Sequence, residues 1–146
     1  MTSYLTLTIP ADLEALEQLT PFIESIARTA SGRMQHQLAL AVHELCVNII
    51  QHAYAGTTGQ ITLQAECYQH GLCLSVYDSA PNAFRNVFRR APDPLDLPES
   101  GWGLVILHRV MDGVSYVRQP RGNTWHLVKF WEEESFRHDA ASARDR

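Results

Sequence analysis

The sequence predicts an α+β fold in which helices lie on one face of a mixed, mostly antiparallel sheet. Several short segments alternate apolar and polar residues, as half-buried strands do, and longer segments repeat apolar residues every three or four positions, as amphipathic helices do. The order of these segments is strand, two helices, two strands, a long loop, one helix and two strands. The length of 146 residues is enough for one domain with one hydrophobic core.

The first part of the chain predicts a strand followed by a helix. Residues 4–9 alternate apolar and polar side chains, which is the strand pattern. Beyond Pro10 the apolar residues follow helical spacing, and Pro21 is expected to kink or restart this helix, with Thr20 as its cap. Gly32 is expected to end the helix. The apolar positions of this first helix are Leu13, Leu16, Leu19, Ile23 and Ile26.

A second helix and a pair of strands are predicted in the middle of the sequence. The helix is expected from about residue 34 to 54, before Gly56, and the strands near 60–68 and 72–78. The apolar stripe of this helix, which has to face the sheet, consists of Leu38, Val42, Leu45, Ile49 and Ala53. The segment 79–100 contains four prolines and predicts a loop so long that it is usually functional or mobile.

The last part predicts a helix near 104–111 and two strands near 114–118 and 124–131. We therefore expect residues 1–131 to form the domain. The charged segment 132–146, rich in small residues, is expected to be a frayed end.

Composition excludes several classes of function. The 12 basic and 16 acidic residues give a net charge of −4, so direct nucleic-acid binding is not expected. The apolar runs are too short to span a membrane, and the start of the chain lacks a charged signal-peptide head. The three cysteines are expected to be reduced, although Cys67 and Cys73 could come close on paired strands. These features indicate a cytoplasmic protein.

The second helix carries two polar residues at the margin of its apolar stripe. Glu44 and Asn48 are four residues apart, so they lie one turn apart on the same side of the helix, and His52 continues the row. A carboxylate that abstracts a proton and a neutral oxygen ligand for a hard cation would explain this placement. A solvated helix margin, with a hydrogen bond between Asn48 and Glu44, is the alternative.

Two further sites each have two interpretations. Asp78 ends an apolar strand, where a carboxylate either accepts hydrogen bonds from a ligand amine or forms a turn with Ala80. Gly101 and Gly103 open the predicted third helix, where glycines either let backbone N–H groups approach a phosphate or form a tight turn. Their sequence matches neither the P-loop nor the dinucleotide-binding pattern.

Taken in this order and spacing, these segments resemble the GHKL ATPase superfamily and, within it, the bacterial anti-sigma factor and serine-protein kinase family. The resemblance covers about residues 5–130. Its motifs are the N box at 43–54, the start of the first glycine box at 76–78, the second glycine box and its helix at 99–104 and 111–114, and the start of the closing strand at 122–124.

The resemblance implies a Bergerat-type two-layer α/β sandwich, a histidine-kinase-like domain that binds ATP with Mg²⁺ under a lid of about 79–100. By matching position, Glu44 would be the general base, Asn48 a ligand of Mg²⁺, and Asp78 the acceptor of the adenine amino group. The residues implied in nucleotide binding are Asn48, Asp78, Gly101, Gly103, Leu104 and Thr124, with Asn123 as the alternative to Thr124.

The resemblance also implies a protein-serine kinase. Its phosphate would go to a serine of a STAS-domain anti-sigma antagonist, and the protein would sequester a sigma factor or a similar client. A homodimer is a further implied assembly, and the apolar row of the first helix, expected to be exposed, offers a surface for a dimer or for a client.

One departure from the family pattern leaves a second function open. Ser79, Ala80 and Pro81 stand where the first glycine box normally has a glycine, so the loop is expected to be stiffer and nucleotide binding weaker. The alternative function is therefore a binding module that exchanges partners without kinase activity. A detached histidine-kinase catalytic domain is a third interpretation, disfavoured by the missing phosphoacceptor helix pair.

Overall fold

The computed structural model describes residues 2–84 and 102–132, and its five strands form one antiparallel sheet in the order β1-β2-β3-β5-β4. Every pair of neighbouring strands is antiparallel, which corrects the predicted mixed sheet. The strands are β1 (Ser3–Pro10), β2 (Gln60–Tyr68), β3 (Gly71–Asp78), β4 (Gly113–Gln119) and β5 (Gly122–Phe130).

The described helices all contribute residues to one hydrophobic core. A short 3₁₀ helix (Glu14–Gln18) leads into α1 (Leu19–Ile26), and α2 (Gly32–Asn48) continues as a π-helix (Ile49–Tyr54). The helix α3 (Trp102–Val110) precedes β4, and α2 packs against both α1 and α3. The predicted elements are therefore all present among the described residues, with shifted ends.

The core lies between the sheet and the helices. The predicted stripe of α2 is buried at Leu38, Val42, Leu45, Ile49 and Ala53, as are alternate residues of the strands. Burying each of the larger side chains contributes about 1.5–3 kcal/mol. The buried residues on the helix-facing side of the strands include Ile9, Ile61, Leu63, Leu74, Val76, Trp125 and Leu127. The result is the predicted two-layer α+β sandwich.

The boundaries of the first two helices differ from the prediction. The helix restarts close to Pro21, as predicted, because the 3₁₀ helix ends at Gln18 and α1 begins at Leu19; Pro21 lies in the first turn of α1, where its missing N–H leaves no intrahelical bond unmade. Thr20 is not the cap, because α1 begins at Leu19. Gly32 begins α2 instead of ending a helix, since Ser31 caps α2 by accepting a hydrogen bond from the Met34 backbone N–H at 3.1 Å.

Burial and register bear on two further expectations, the apolar row of the first helix and the cysteine pair. The apolar row of the first helix is not exposed, because Leu13 alone of its five members lies at the surface and the others are in the core. Cys67 pairs in register with Leu72, and Cys73 with Glu66, and both thiols are free. The predicted frayed end lies outside the described residues, apart from Glu132. Among the described helices, none combines the length and the hydropathy that crossing a membrane requires.

Candidate functional site

Asp78 lies at the end of β3, and its two carboxylate oxygens have different environments. The Oδ1 atom accepts hydrogen bonds from the backbone N–H groups of Ala80 (2.9 Å) and Asn123 (3.1 Å) and from Asn123 Nδ2 (3.0 Å). The Oδ2 atom is buried and has no hydrogen-bond partner among the described residues. The predicted turn with Ala80 is therefore present at Oδ1, and the interpretation of Asp78 as a ligand acceptor stays a prediction.

Opposing effects act on the charge of this carboxylate. Burial raises the pKa of Asp78 above its ordinary value, since the charged form loses its water shell. The hydrogen bonds from Ala80 and Asn123, and the positive charge of Arg118, lower the pKa, but burial outweighs them. A buried acceptor with an unfilled oxygen costs free energy in the fold unless a ligand fills it, which is typical of a functional position.

Asn123 is fully buried beside Asp78 and all of its polar atoms are bonded. The residue is in register with Asp78 across β3 and β5. Its Nδ2 donates to Asp78 Oδ1 and to the Asn82 backbone oxygen, each at 3.0 Å. Its Oδ1 accepts a short hydrogen bond from the Tyr116 hydroxyl, which in turn accepts from the Phe84 backbone N–H at 2.9 Å. Asn123 thus joins the end of β3 to the segment that follows it.

The segment 79–84 is held in place at several points. Arg118 on β4 donates to the backbone oxygens of Ala80 and Pro81, each at 2.9 Å, and the Ala80 side chain is fully buried. Asn82 donates to the backbone oxygens of Ala53 (3.2 Å) and His52 (3.4 Å) at the end of the π-helix. The first residues of the predicted lid are therefore fixed, while 85–100 lie outside the described residues.

Aromatic rings cover the neighbouring part of the sheet. Phe84 packs edge-on against Trp125 and Tyr116, with ring centroids 5.2 and 5.8 Å apart. The Tyr116 and Trp125 rings lie 4.7 Å apart. Within residues 2–84 and 102–132, no group forms a hydrogen bond with the buried Trp125 Nε1. The cluster gives the site an apolar wall, of the kind that borders pockets for flat ligands.

Glu44 and Asn48 lie on one flank of α2, and both are half-buried. The opposite flank carries Ala39 and His43, which line a cleft together with residues of α1. Since α1 occupies that side, the flank of Glu44 and Asn48 is directed away from α1. The predicted margin of the apolar stripe is therefore where both polar side chains lie.

A π-helix begins immediately after Asn48. Residues 49–54 are wound more loosely than an α-helix, and Ala55 then adopts a left-handed conformation with φ of 50°. His52, predicted to continue the row of Glu44 and Asn48, is exposed, whereas those two residues are half-buried. Single π-turns of this kind are frequent at functional sites. Sequence periodicity did not indicate it.

The other residues predicted to bind nucleotide lie at different places in the chain. Gly101 lies outside the described residues, Gly103 lies in the first turn of α3, and the half-buried Leu104 packs against the core. Thr124 is in register with Tyr77 and Val117, so strand alternation directs it to the face of the sheet opposite Asp78. The β5 residue that contacts Asp78 is therefore Asn123, which the sequence offered as the alternative.

Tyr116 and Arg118 were not predicted, although the signal was available. Both lie at alternate positions of β4, on the same face as Asn123. The β4–β5 register, which pairs Arg118 with Asn123, is what brings them to the site.

The described residues form a five-stranded antiparallel sheet with three α-helices. The model of the histidine kinase-like ATPase domain family matches residues 9–129. The chain therefore belongs to that family.

Curated relatives and one solved structure are similar to this chain. A serine-protein kinase RsbW from Bacillus cereus (strain ATCC 10987 / NRS 248) is 30% identical over 109 residues, which are 70% of this chain and 68% of that protein. An RsbW from Bacillus thuringiensis (strain Al Hakam) is 29% identical over the same shares. The crystal structure of the RsbU and RsbW domains of Rv1364c from Mycobacterium tuberculosis matches 88% of this chain and 32% of its own chain, at 17% identity and a TM-score of 0.62, which supports the fold.

Proposed function

We propose that this protein binds ATP with Mg²⁺ at the end of β3 and phosphorylates a serine of a partner protein. The observation that carries the proposal is the buried, unpartnered Oδ2 atom of Asp78. Membership of the histidine kinase-like ATPase domain family and similarity to serine-protein kinases support it.

Asp78 would select the base. Above its pKa the carboxylate is an acceptor only, so Oδ2 requires an N–H donor from the ligand. The exocyclic amino group of adenine is such a donor, and a flat ring beside Asp78 would have the rings of Phe84 and Trp125 in its neighbourhood. A charge-assisted hydrogen bond of this kind contributes about 1.5–3 kcal/mol.

The flank of α2 that carries Asn48 would lie beside the phosphate groups of ATP. When bound, Mg²⁺ would offset negative charge on the phosphate oxygens, and the Asn48 side-chain oxygen is the type of ligand that it accepts. The backbone at Gly101 and Gly103 would bind phosphate, with Leu104 beside them.

Glu44 would act as the general base. It lies one turn before Asn48, is half-buried, and would take the proton of the serine hydroxyl as the phosphoryl group is transferred. We propose a STAS-domain anti-sigma antagonist as the phosphorylated partner and a sigma factor or similar client as the protein sequestered. A cytoplasmic location and a homodimer belong to the same proposal.

A second candidate function is a binding module that lacks kinase activity. The observation that favours it is the fixed segment 79–84, where the buried Ala80 and the exposed Pro81 stand at the glycine position of the first glycine box and Arg118 donates to both of their backbone oxygens. A turn held in this way has less freedom to adapt to a nucleotide.

Calorimetric titration with Mg-ATP tests the site. We expect wild type to bind, and Asp78→Ala and Asn48→Ala each to lose at least about tenfold in affinity, because each removes a ligand contact. Gln51→Ala, an exposed position on the following π-helix, is the matched control and should bind as wild type does. Wild-type affinity in both site variants would refute the assignment.

Transfer of labelled phosphate to a STAS partner separates the two candidate functions. We expect labelled partner serine with wild type, and a rate lower by about 10²–10⁴-fold in Glu44→Ala with Mg-ATP binding retained. Glu17→Ala, at an exposed position, is the control. Tight binding of the partner without label would favour the binding module.

A further inference from the structure

We propose that the outer edge of β1 binds an extended, acidic segment of a partner protein, which would add a sixth strand to the five-stranded sheet. Among the residues that the structure describes, β1 pairs only with β2, so its other edge faces away from the sheet. The composition of this edge, the cleft beside it and the charge of that cleft point to such a partner. The inference is independent of the proposed nucleotide-binding function.

The backbone groups of β1 point alternately to β2 and to the outer edge. The Ala11 N–H donates to the Gly59 backbone oxygen at 2.9 Å, in the register that joins β1 to β2. Antiparallel strands alternate hydrogen-bonded and non-hydrogen-bonded pairs, so every second residue before Ala11 also bonds to β2. The backbone N–H and C=O groups of Tyr4, Thr6 and Thr8 therefore point outward. An incoming strand would find a row of donors and acceptors there.

This edge lacks most of the features by which proteins prevent unwanted strand pairing. Edge strands are usually protected by lysine or other charged residues, by proline or by a bulge. The β1 sequence SYLTLTIP contains no charged residue, and its register with β2 is unbroken from Ser3 to Pro10. Pro10 is at an outward position, but it is the last residue of the strand. The first half of the edge is therefore open to another strand.

A cleft of about 590 Å³ adjoins the first half of β1. It lies between the start of β1, the end of α1 and the end of β2, and its lining includes Leu5, Ile26 and Cys67. The helices cover this end of β1 less completely than the other end, because Ile9 is 1% exposed whereas Leu5, on the same side of the strand, is 38% exposed. Alternate side chains of an added strand would lie at this cleft, as in peptide binding by strand addition.

Arg28 determines the charge of the cleft. This residue is exposed, and it is the one charged side chain among the described residues that line the cleft. An acidic residue near the end of an added strand would be attracted to Arg28, and a basic residue would be repelled. The partner segment is thus expected to be extended, uncharged in its middle and acidic at an end.

Fluorescence anisotropy with labelled synthetic peptides tests the inference. Two peptides as long as β1 (8 residues) alternate valine and threonine, and one carries glutamate at both ends where the other carries lysine. At low ionic strength we expect wild type to bind the glutamate peptide about three- to tenfold more tightly, and Arg28→Glu to reverse the preference. Arg33→Glu makes the same charge change at an exposed position outside the cleft, so it should keep the wild-type preference.

Thr6→Pro tests the backbone contact. It removes an outward N–H group and leaves the bonds between β1 and β2 intact, because proline is tolerated where the N–H of an edge strand faces solvent. We expect both peptides to bind about tenfold more weakly to this variant. Thr6→Val keeps the N–H group and should bind as wild type does. If Thr6→Pro does not fold, the reversed preference of Arg28→Glu still decides.

Three results would overturn the inference. Wild type could bind neither peptide, or it could bind both with equal affinity. Analytical ultracentrifugation could instead show a concentration-dependent dimer that Thr6→Pro dissociates, which would assign the edge to a second copy of the chain. None of these results would bear on the binding of Mg-ATP, since Thr6 and Arg28 lie outside the proposed nucleotide site.

Discussion

Replacing Gly122 by alanine should destabilise the protein strongly, because this position has neither the space nor the backbone conformation for a side chain. A Cβ atom there would lie 1.9 Å from the Asp78 backbone oxygen, 2.9 Å from the Asp78 carbonyl carbon and 3.0 Å from Ser79 Cα. The φ angle of Gly122 is +143°, in a region that residues with a side chain rarely adopt.

The expected magnitude follows from these two effects. Backbone strain of this type costs about 1–3 kcal/mol. Overpacking costs about 1–3 kcal/mol more, and here the obstacle is backbone, which cannot rotate away. Relief would require the start of β5 to move from the end of β3, which would stretch the hydrogen bonds of the adjacent Asn123 to Asp78. We therefore expect a loss of about 2–6 kcal/mol from a total that is typically about 5–15 kcal/mol.

Urea unfolding followed by tryptophan fluorescence measures this loss, because Trp125 is completely buried. Gly32→Ala is the matched control. A Cβ at Gly32, in the first turn of α2, meets nothing within 4 Å, so this variant should change stability by about 1 kcal/mol or less. A Gly122→Ala protein within about 1 kcal/mol of wild type would refute the reasoning.

Two further predictions concern titratable groups. Asp78→Asn should change how the stability of the protein depends on pH. The pKa of Asp78 is raised in the folded state, so this residue stabilises the fold at pH values below its ordinary pKa of 3.8. This stabilisation is lost as the pH rises through the folded-state pKa. The unfolding free energy of wild type minus that of the variant, from urea titrations, should therefore increase as pH falls from 7 to about 4, and a constant difference would contradict this. Burial raises the pKa of Cys46 to about 12. A thiol-specific reagent at about pH 8 should therefore label Cys67 and Cys73 before Cys46, as mapped by peptide mass spectrometry. Equal labelling rates would show that Cys46 is accessible.

The fold was predictable from the sequence because its signals are periodic and local. Alternation along 4–9 and the apolar stripe of α2 each identify one element without knowledge of its neighbours. The ends of the helices were less predictable. Gly32 was interpreted as the end of a helix, but it lies in the first turn of α2, where the structure tolerates glycine.

The candidate site was predictable only in its local part. The half-buried flank of Glu44 and Asn48 follows from helical spacing, and the turn of Asp78 with Ala80 follows from adjacency in sequence. The choice between Asn123 and Thr124 depends on strand register across β3 and β5, and one residue of register changes the face. No local pattern in a single sequence fixes that register. The π-helix after Asn48 likewise depends on tertiary packing.

The segment after β3 depends on Arg118, a residue nearly forty positions later in the chain. Glycine would let that bend form through its own backbone freedom. Here Arg118, from a different strand, donates hydrogen bonds to the backbone oxygens of Ala80 and Pro81. Sequence changes at positions 80 and 81 are thereby tied to position 118. We therefore expect a homologue with glycine at the bend to tolerate loss of the arginine, and one with alanine and proline to retain it.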